Sequence, residues 1–216
     1  MDEHLQEVHD RAKQELTQMH FRWQLFRQLF ATNPYRIDLI NQTSANLLVQ
    51  FQWLVIDYMI LSLSKLTDPA KMLDNNNLSF HYILEKVHES GNDDLASEIE
   101  AELGELTAAS EKFRNIRNKR VAHNDLVTAL ESEQSPLPGV SRAEIETALN
   151  HARNIMNQVE LSYNNSQTAY EHMILPLQDD GRSVLIWLQK GLAYEQLADE
   201  GLIARDRWRE LGDIDS

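Results

Sequence analysis

Apolar residues recur every three or four positions along most of the chain, which is the spacing of one face of an α-helix. The first such stripe covers residues 2–31, and Asn33-Pro34 ends it because proline disfavours helix in the residue before it. Further stripes predict four more long helices, over about 37–67, from Ser79 to about Gly91, from Asp93 towards Val121, and from Ser141 to about Leu175. Residues 183–211 carry shorter apolar groups, which predict two or three short helices.

The predicted connections are polar or rich in proline. A polar loop containing Asp74-Asn75-Asn76-Asn77 follows the second helix, and the clearest loop is 126–140, which includes Ser135-Pro136-Leu137-Pro138-Gly139. Ser141 and Glu144 have the spacing of a capping box at the start of the next helix. The pattern therefore predicts an all-α protein, with an antiparallel helical bundle over 1–175 and a helical extension packed on it over 176–216.

One predicted helix, 46–66, is strongly apolar and about long enough to span a bilayer. Asp57 lies at its middle, however, and a carboxylate at the centre of a bilayer is energetically expensive. We therefore expect a core helix that is buried on most sides, and no association with a membrane. Asp57 is then expected to hold the register of the bundle, and a role as a functional acid is the alternative.

Composition narrows the possible chemistry. The chain has 216 residues, a net charge of −14, 7 glycines and no cysteine. Thiol nucleophiles, zinc–thiolate sites and iron–sulfur clusters are therefore excluded, and no phosphate-loop, dinucleotide-binding or HExxH pattern occurs. We expect neither a metal nor a cofactor. The N-terminus lacks the basic and apolar regions of a signal peptide, so we expect the protein in the cytoplasm.

Residues 112–120 differ from the rest of this acidic chain, because five of the nine side chains are basic and none is acidic. Cleavage of RNA requires a cation for the charge that develops on the phosphate and a group that titrates near neutral pH, while the 2′-hydroxyl supplies the nucleophile. We therefore predict Arg117 as phosphate clamp, Asn118 as polar positioner and His123 as general acid or base. Three neighbours are predicted to steer the RNA backbone: Arg114, Lys119 and Arg120.

The spacing of this motif predicts a dimer. Six residues of a regular helix turn by about 600°, which leaves Arg117 and His123 about 120° apart around the axis. A single copy would not direct both side chains at one atom. Two copies that face each other across a two-fold axis would place two arginines and two histidines in one cleft, and two-fold dimers are the commonest oligomers.

The segment Arg117-Asn118-Lys119-Arg120-Val121-Ala122-His123 resembles the arginine–polar–spacer–histidine motif of the HEPN superfamily. Asp57, Ser64-Lys65-Leu66-Thr67-Asp68 and Leu78-Ser79 resemble the AbiU-type abortive-infection branch. The resemblance implies a helical bundle that dimerises with its motif helices facing each other. Many members are metal-independent ribonucleases of prokaryotic defence and toxin–antitoxin systems, which leave a 2′,3′-cyclic phosphate. RNA and an antitoxin or other defence protein are then the expected partners.

Two other interpretations stay open. Some HEPN proteins lack catalysis and bind RNA or a protein partner, and the AbiU branch is linked to a partner-regulating role in phage defence. Alternatively, the protein is a helical interaction protein in which 112–120 is a solvated helix face, with arginine stems over Phe113 and Ile116.

Four aromatic residues fit either core packing or base stacking: Phe21, Trp23, Phe26 and Phe30.

Overall fold

The computed structural model describes residues 1–30, 33–123, 125–130, 137–174 and 179–211. Its α-helices are α1 (Glu3–Phe30), α2 (Pro34–Thr43), α3 (Ala45–Leu66), α4 (Phe80–Glu89), α5 (Asp93–Ile116), α6 (Leu126–Leu130), α7 (Arg142–Asn164) and α8 (Gly181–Asp199). The other elements are the antiparallel strands β1 (Lys71–Met72) and β2 (Asn75–Asn76), a π-helical turn (Arg117–Val121) and a 3₁₀ helix (Arg207–Leu211). The fold is all-α, as the spacing of apolar residues predicted.

The helix predicted over about 37–67 is in fact two helices. The Asn33 side chain accepts a hydrogen bond from the Tyr35 backbone N–H at 2.9 Å, and Pro34 takes the first helical position, where an N–H is not needed. Ser44 separates α2 from α3, because its φ of −137° and ψ of 41° leave the helical region. The proline that stops α1 therefore also starts the next helix.

The predicted loop 126–140 begins with a short helix, α6. The Asp125 carboxylate accepts a hydrogen bond from the Thr128 backbone N–H at 2.8 Å, and this cap explains why a helix starts here. The part of the predicted loop at 131–136 lies outside the described residues. Strands β1 and β2 form a small hairpin where a polar loop was predicted.

The bounds of the last two long helices also differ from the prediction. α7 ends at Asn164 rather than near Leu175, because Asn165 adopts the left-handed conformation with φ 48° and ψ 39°. At its start the predicted capping box of Ser141 and Glu144 is present. Two or three short helices were predicted in the tail, which forms one long helix, α8, capped by Asp180, and the short 3₁₀ helix Arg207–Leu211.

The chain divides into two compact units. The first contains residues 1–24 and 53–173, and within it α5 packs against α4 and α7. The second contains 25–52 and 174–216, and within it α2 packs against α8. The second unit has its own small core of Leu29, Leu39, Ile40, Leu48 and Leu185. The boundary predicted at 175 falls within 175–178, outside the described residues, so the division into 1–175 and 176–216 stays a prediction.

α3 has the length and apolar composition of a membrane-spanning helix, but core helices of soluble proteins have them too. Only 33% of the most apolar 18-residue stretch of α3 is buried. The expectation of a helix buried on most sides is therefore wrong. Val55, Met59 and Leu63 are buried, whereas Trp53 and Leu54 are exposed. α3 therefore packs through one side and presents apolar groups on another.

A buried carboxylate links α1 to α7 and to the segment that follows α7. Glu160 on α7 accepts hydrogen bonds from the Thr168 and Tyr170 hydroxyls, each at 2.7 Å, and its Oε1 lies 3.1 Å from Lys13 Nζ on α1. Burial raises the pKa of Glu160, but the hydrogen bonds and the lysine outweigh it and hold the pKa below its usual value. The charge is therefore stabilised within the first unit.

The packing of α7 predicts a large difference between two of its leucines. Leu149 is buried and Leu161 is half exposed. We expect Leu149→Ala to lower the free energy of unfolding by about 2–5 kcal/mol, because it removes buried methyl groups and leaves a cavity. The matched change Leu161→Ala should cost less than about 1 kcal/mol. Urea titration measures both, and equal losses would contradict the assigned burial.

His20 predicts a loss of stability in mild acid. Its ring stacks on Tyr170 with centroids 5.9 Å apart, and burial lowers its pKa from 6.5 to about 4, helped by Arg153 and opposed by Glu171. As pH falls through 6.5 the unfolded chain binds a proton that the folded chain does not. This effect should remove about 2 kcal/mol of unfolding free energy between about pH 7.5 and about pH 5.

Urea titrations of wild type and His20→Gln at the two pH values test this. His20→Gln should reduce the change of the unfolding free energy with pH over that interval. His88→Gln, at an exposed position, should leave that change as it is in wild type. A His20→Gln protein with the wild-type slope would show that His20 is not the responsible group.

Candidate functional site

Arginines at 114, 117 and 120 contact α3 or the two residues that follow it. Arg114 caps the C-terminal end of α3. Arg114 Nη2 donates to the carbonyl of Thr67 at 2.6 Å and to its hydroxyl at 2.9 Å. The last carbonyls of a helix lack intrahelical partners and carry partial negative charge, so a guanidinium there is favourable. Arg114, predicted to steer RNA, is thus half-buried and engaged within the chain.

Arg117 contacts both carboxylate oxygens of a single aspartate. Its Nη1 lies 2.9 Å from both carboxylate oxygens of Asp68, and its Nε donates to Asn118 Oδ1 at 3.1 Å. The Arg117 and Asp68 side chains are 15% and 16% exposed. The pair is therefore largely shielded from water, and removing one partner would leave the other charge poorly solvated.

Arg120 pairs with Asp57, nine residues before the end of α3. Its Nη2 and Nη1 lie 2.5 and 3.3 Å from the two oxygens of Asp57, and its guanidinium carbon lies 5.9 Å from the centre of the Trp53 ring. Asp57 thus joins two helical segments, as a residue that fixes helix register would. Its partner is Arg120.

The backbone of the motif is a π-helical turn. The Ala122 N–H donates to the Arg117 carbonyl at 2.8 Å, five residues back, and the Asp125 N–H donates to the Lys119 carbonyl at 3.1 Å. Regular α-helix ends at Ile116, so the 120° expected between Arg117 and His123 does not apply. Such turns inside or at the ends of α-helices occur frequently at functional sites.

His123 follows this turn and is exposed. Within the described part of the chain it makes no hydrogen bond or ion pair, and none joins it to Arg117; Asn124 lies outside the described residues. Asp125 caps α6 instead of orienting the imidazole, and hydrogen bonds from the Thr128 backbone and side chain lower the pKa of its carboxyl. The structure therefore brings together Arg117 and Asn118, and leaves His123 available to a second molecule.

The basic segment is largely compensated by carboxylates. Lys112 Nζ lies 2.7 Å from Glu144 Oε1. Glu144 is therefore the third carboxylate, after Asp57 and Asp68, that pairs with a basic residue of 112–120. Lys119 is exposed and has no ion pair within the described residues. Sequence reasoning missed the acidic partners because they lie in α3, just after α3 and in α7, far from the motif along the chain. The available signal was an aspartate directly after a predicted helix. The roles predicted for the six site residues stay predictions.

Two further observations concern metal-binding groups and the aromatic residues. Across the described ranges, no group of three or more His, Asp or Glu side chains is arranged to hold a metal ion. Trp23 and Phe26 are buried, as expected if the aromatic residues of α1 pack in the core rather than stack on bases. Trp53, which sequence reasoning did not select, is the exposed aromatic residue beside the motif.

An all-α fold with an arginine–polar–histidine motif at the end of a long helix is that of a HEPN protein. The family model described as AbiU2, of the HEPN class, matches residues 2–184, and the chain belongs to this family. No curated protein and no solved structure matches the chain. The resemblance identified from the motif is thereby confirmed at the level of the family.

The Arg117–Asp68 pair predicts a specific loss of stability. We expect Asp68→Asn to lower the free energy of unfolding by about 2–4 kcal/mol, because it leaves a shielded guanidinium without its counter-ion. The control is Glu195→Gln, which breaks the exposed pair with Arg205 and should cost at most about 1 kcal/mol. Chemical denaturation measures both. An Asp68→Asn protein as stable as the control would mean that the pair does not hold the turn.

Proposed function

We propose that this protein is a metal-independent endoribonuclease that acts as a homodimer in the cytoplasm, within a prokaryotic defence or toxin–antitoxin system. The observation that carries the proposal is the arrangement of the motif. A shielded carboxylate holds Arg117 on a π-helical turn, and the exposed His123 follows directly. Membership of a HEPN family agrees with this chemistry.

The proposed reaction uses the nucleophile that RNA itself carries. The 2′-oxygen attacks the adjacent phosphorus, forming a 2′-O–P bond, and the P–O5′ bond breaks to leave a 2′,3′-cyclic phosphate and a 5′-hydroxyl. One His123 accepts the proton of the 2′-hydroxyl, and the His123 of the other copy donates a proton to the leaving 5′-oxygen. Arg117 stabilises the additional negative charge on the phosphate oxygens, and Asn118 helps to orient the guanidinium.

A second copy is proposed because of the surface beside His123. α6 presents three apolar side chains to solvent, Leu126, Val127 and Leu130. Adjacent exposed apolar groups in a soluble protein often mark an interface. A two-fold contact through this surface would bring the two histidines and the two arginines towards one cleft. Within the described residues of a single copy, no hydrogen bond joins His123 to Arg117.

One observation favours a second candidate function, a non-catalytic module that binds RNA or a protein partner. Asp68 and Asp57 already engage Arg117 and Arg120 in the single chain. Arginines with internal counter-ions attract a phosphate less than free ones would. In this alternative the motif has a structural role, and an exposed surface of the protein provides the contact with its partner.

The test is incubation with mixed RNA in EDTA. We expect wild type to produce fragments with cyclic-phosphate ends, and His123→Ala to lower the cleavage rate by about 10²–10⁴-fold, because it removes the group that transfers the proton. His88→Ala, at an exposed histidine outside the motif, is the matched control and should cleave like wild type. Circular dichroism and light scattering check that the fold and the dimer persist.

Mixing wild type with His123→Ala distinguishes a shared site from two separate ones. A mixed dimer should cleave at much less than half the wild-type rate, because the proposed reaction needs the histidines of both copies in one cleft, whereas two independent sites would leave half of the activity. Full activity of His123→Ala would refute the assignment. Absence of cleavage by wild type, together with salt-sensitive RNA binding or a stable protein complex, would favour the non-catalytic module.

A further inference from the structure

Trp53 is an unusual residue for the position that it occupies. It is 53% exposed although it lies on the most apolar helix of the chain. Tryptophan is usually well buried, and an exposed one next to a charged group is a common feature of binding surfaces. Its neighbour in space is Arg120, the last arginine of the motif, at 5.9 Å from the ring centre.

The contact with Arg120 connects this tryptophan to the proposed site. Arg120 is held by Asp57 on one side and lies near the indole on the other. It belongs to the same π-helical turn as Arg117, three residues away, and the exposed Lys119 precedes it. An exposed aromatic ring and a planar cation are therefore neighbours in space, and a second exposed cation is next to Arg120 in sequence.

We propose that Trp53, together with Arg120 and Lys119, forms a subsite for one nucleotide of single-stranded RNA. An unpaired base stacks on the exposed indole, and the two cations contact the neighbouring phosphate. The proposal rests on the RNA contact proposed above and adds to it a place where the strand is held beside the reacting phosphate. Stacking tolerates any base, so this subsite favours unpaired RNA without a strict sequence preference.

Internal charge compensation makes stacking the larger contribution here. Asp57 reduces the attraction that Arg120 exerts on a phosphate, so the indole provides most of the binding at this position. The competing occupant is a second copy of the chain, because Leu54 beside Trp53 is also exposed and apolar. The Arg120 guanidinium near the indole, with the exposed Lys119 next to it in sequence, favours a polyanion over an apolar protein surface.

The experiment measures affinity for a fluorescent single-stranded RNA in which every 2′-hydroxyl is methylated, so that cleavage does not interfere. We expect Trp53→Ala to weaken binding by about 5-fold to 100-fold, and Trp53→Phe to restore most of the affinity. The matched control is Trp187→Ala, because Trp187 is 66% exposed and has Lys190 4.3 Å from its ring centre, but lies on α8.

The dependence on salt separates the two kinds of contact. Trp53→Ala should leave the slope of log affinity against log salt unchanged, because stacking releases no counter-ions. Arg120→Gln should reduce that slope by about 1. Thermal unfolding and light scattering of each variant show whether the fold and the oligomeric state are retained.

Each outcome decides a different point. Equal affinities of Trp53→Ala and Trp187→Ala for RNA that wild type binds would overturn the subsite and leave the proposed function standing. Loss of the dimer in Trp53→Ala would assign the tryptophan to a contact between copies, which also overturns it. Binding that depends on Trp53, in a protein that never cleaves RNA, would support the subsite and contradict the nuclease. No RNA binding by wild type would contradict both.

Discussion

The ion pair between Arg117 and Asp68 holds the motif in its observed conformation. A π-helical turn closes wider hydrogen-bonded rings than an α-helix, and such turns seldom persist without external contacts. Here Asp68 follows the end of α3 directly, and Arg114 caps the carbonyl of the preceding Thr67. Two adjacent residues of one helix end thus fix two arginines, and the position of the turn follows from theirs.

Ion pairs with carboxylates also determine the electrostatics of the surface around the motif. A chain with a net charge of −14 repels RNA at long range, so local cations have to provide the attraction. Asp57, Asp68 and Glu144 partly neutralise those cations. In the proposed function, binding of RNA to such a surface would depend more on the placement of donors and aromatic rings than on total charge.

The sequence predicted the helices because apolar periodicity is a local property. It also located the capping box at Ser141 and the chemically distinct segment around Arg117. Contacts between distant segments were not accessible in this way. The pairing of Arg117 with Asp68 spans 49 residues, and the position of Asp68 directly after a predicted helix does not identify its partner. The break at Ser44 was missed because its side chain carries no strong stop signal, and α6 was missed because proline-rich neighbours dominated its window.

The two compact units share two helices, and this has a consequence for how the chain can be divided. α1 and α3 each contribute residues to both units, and the small core of the second unit joins Leu39 and Leu48 to Leu185, far along the sequence. The family match ends at residue 184, within α8. A shortened chain ending there would lose Leu185 and uncover apolar groups on α2. Residues beyond the end of the family match therefore contribute to the core of the second unit.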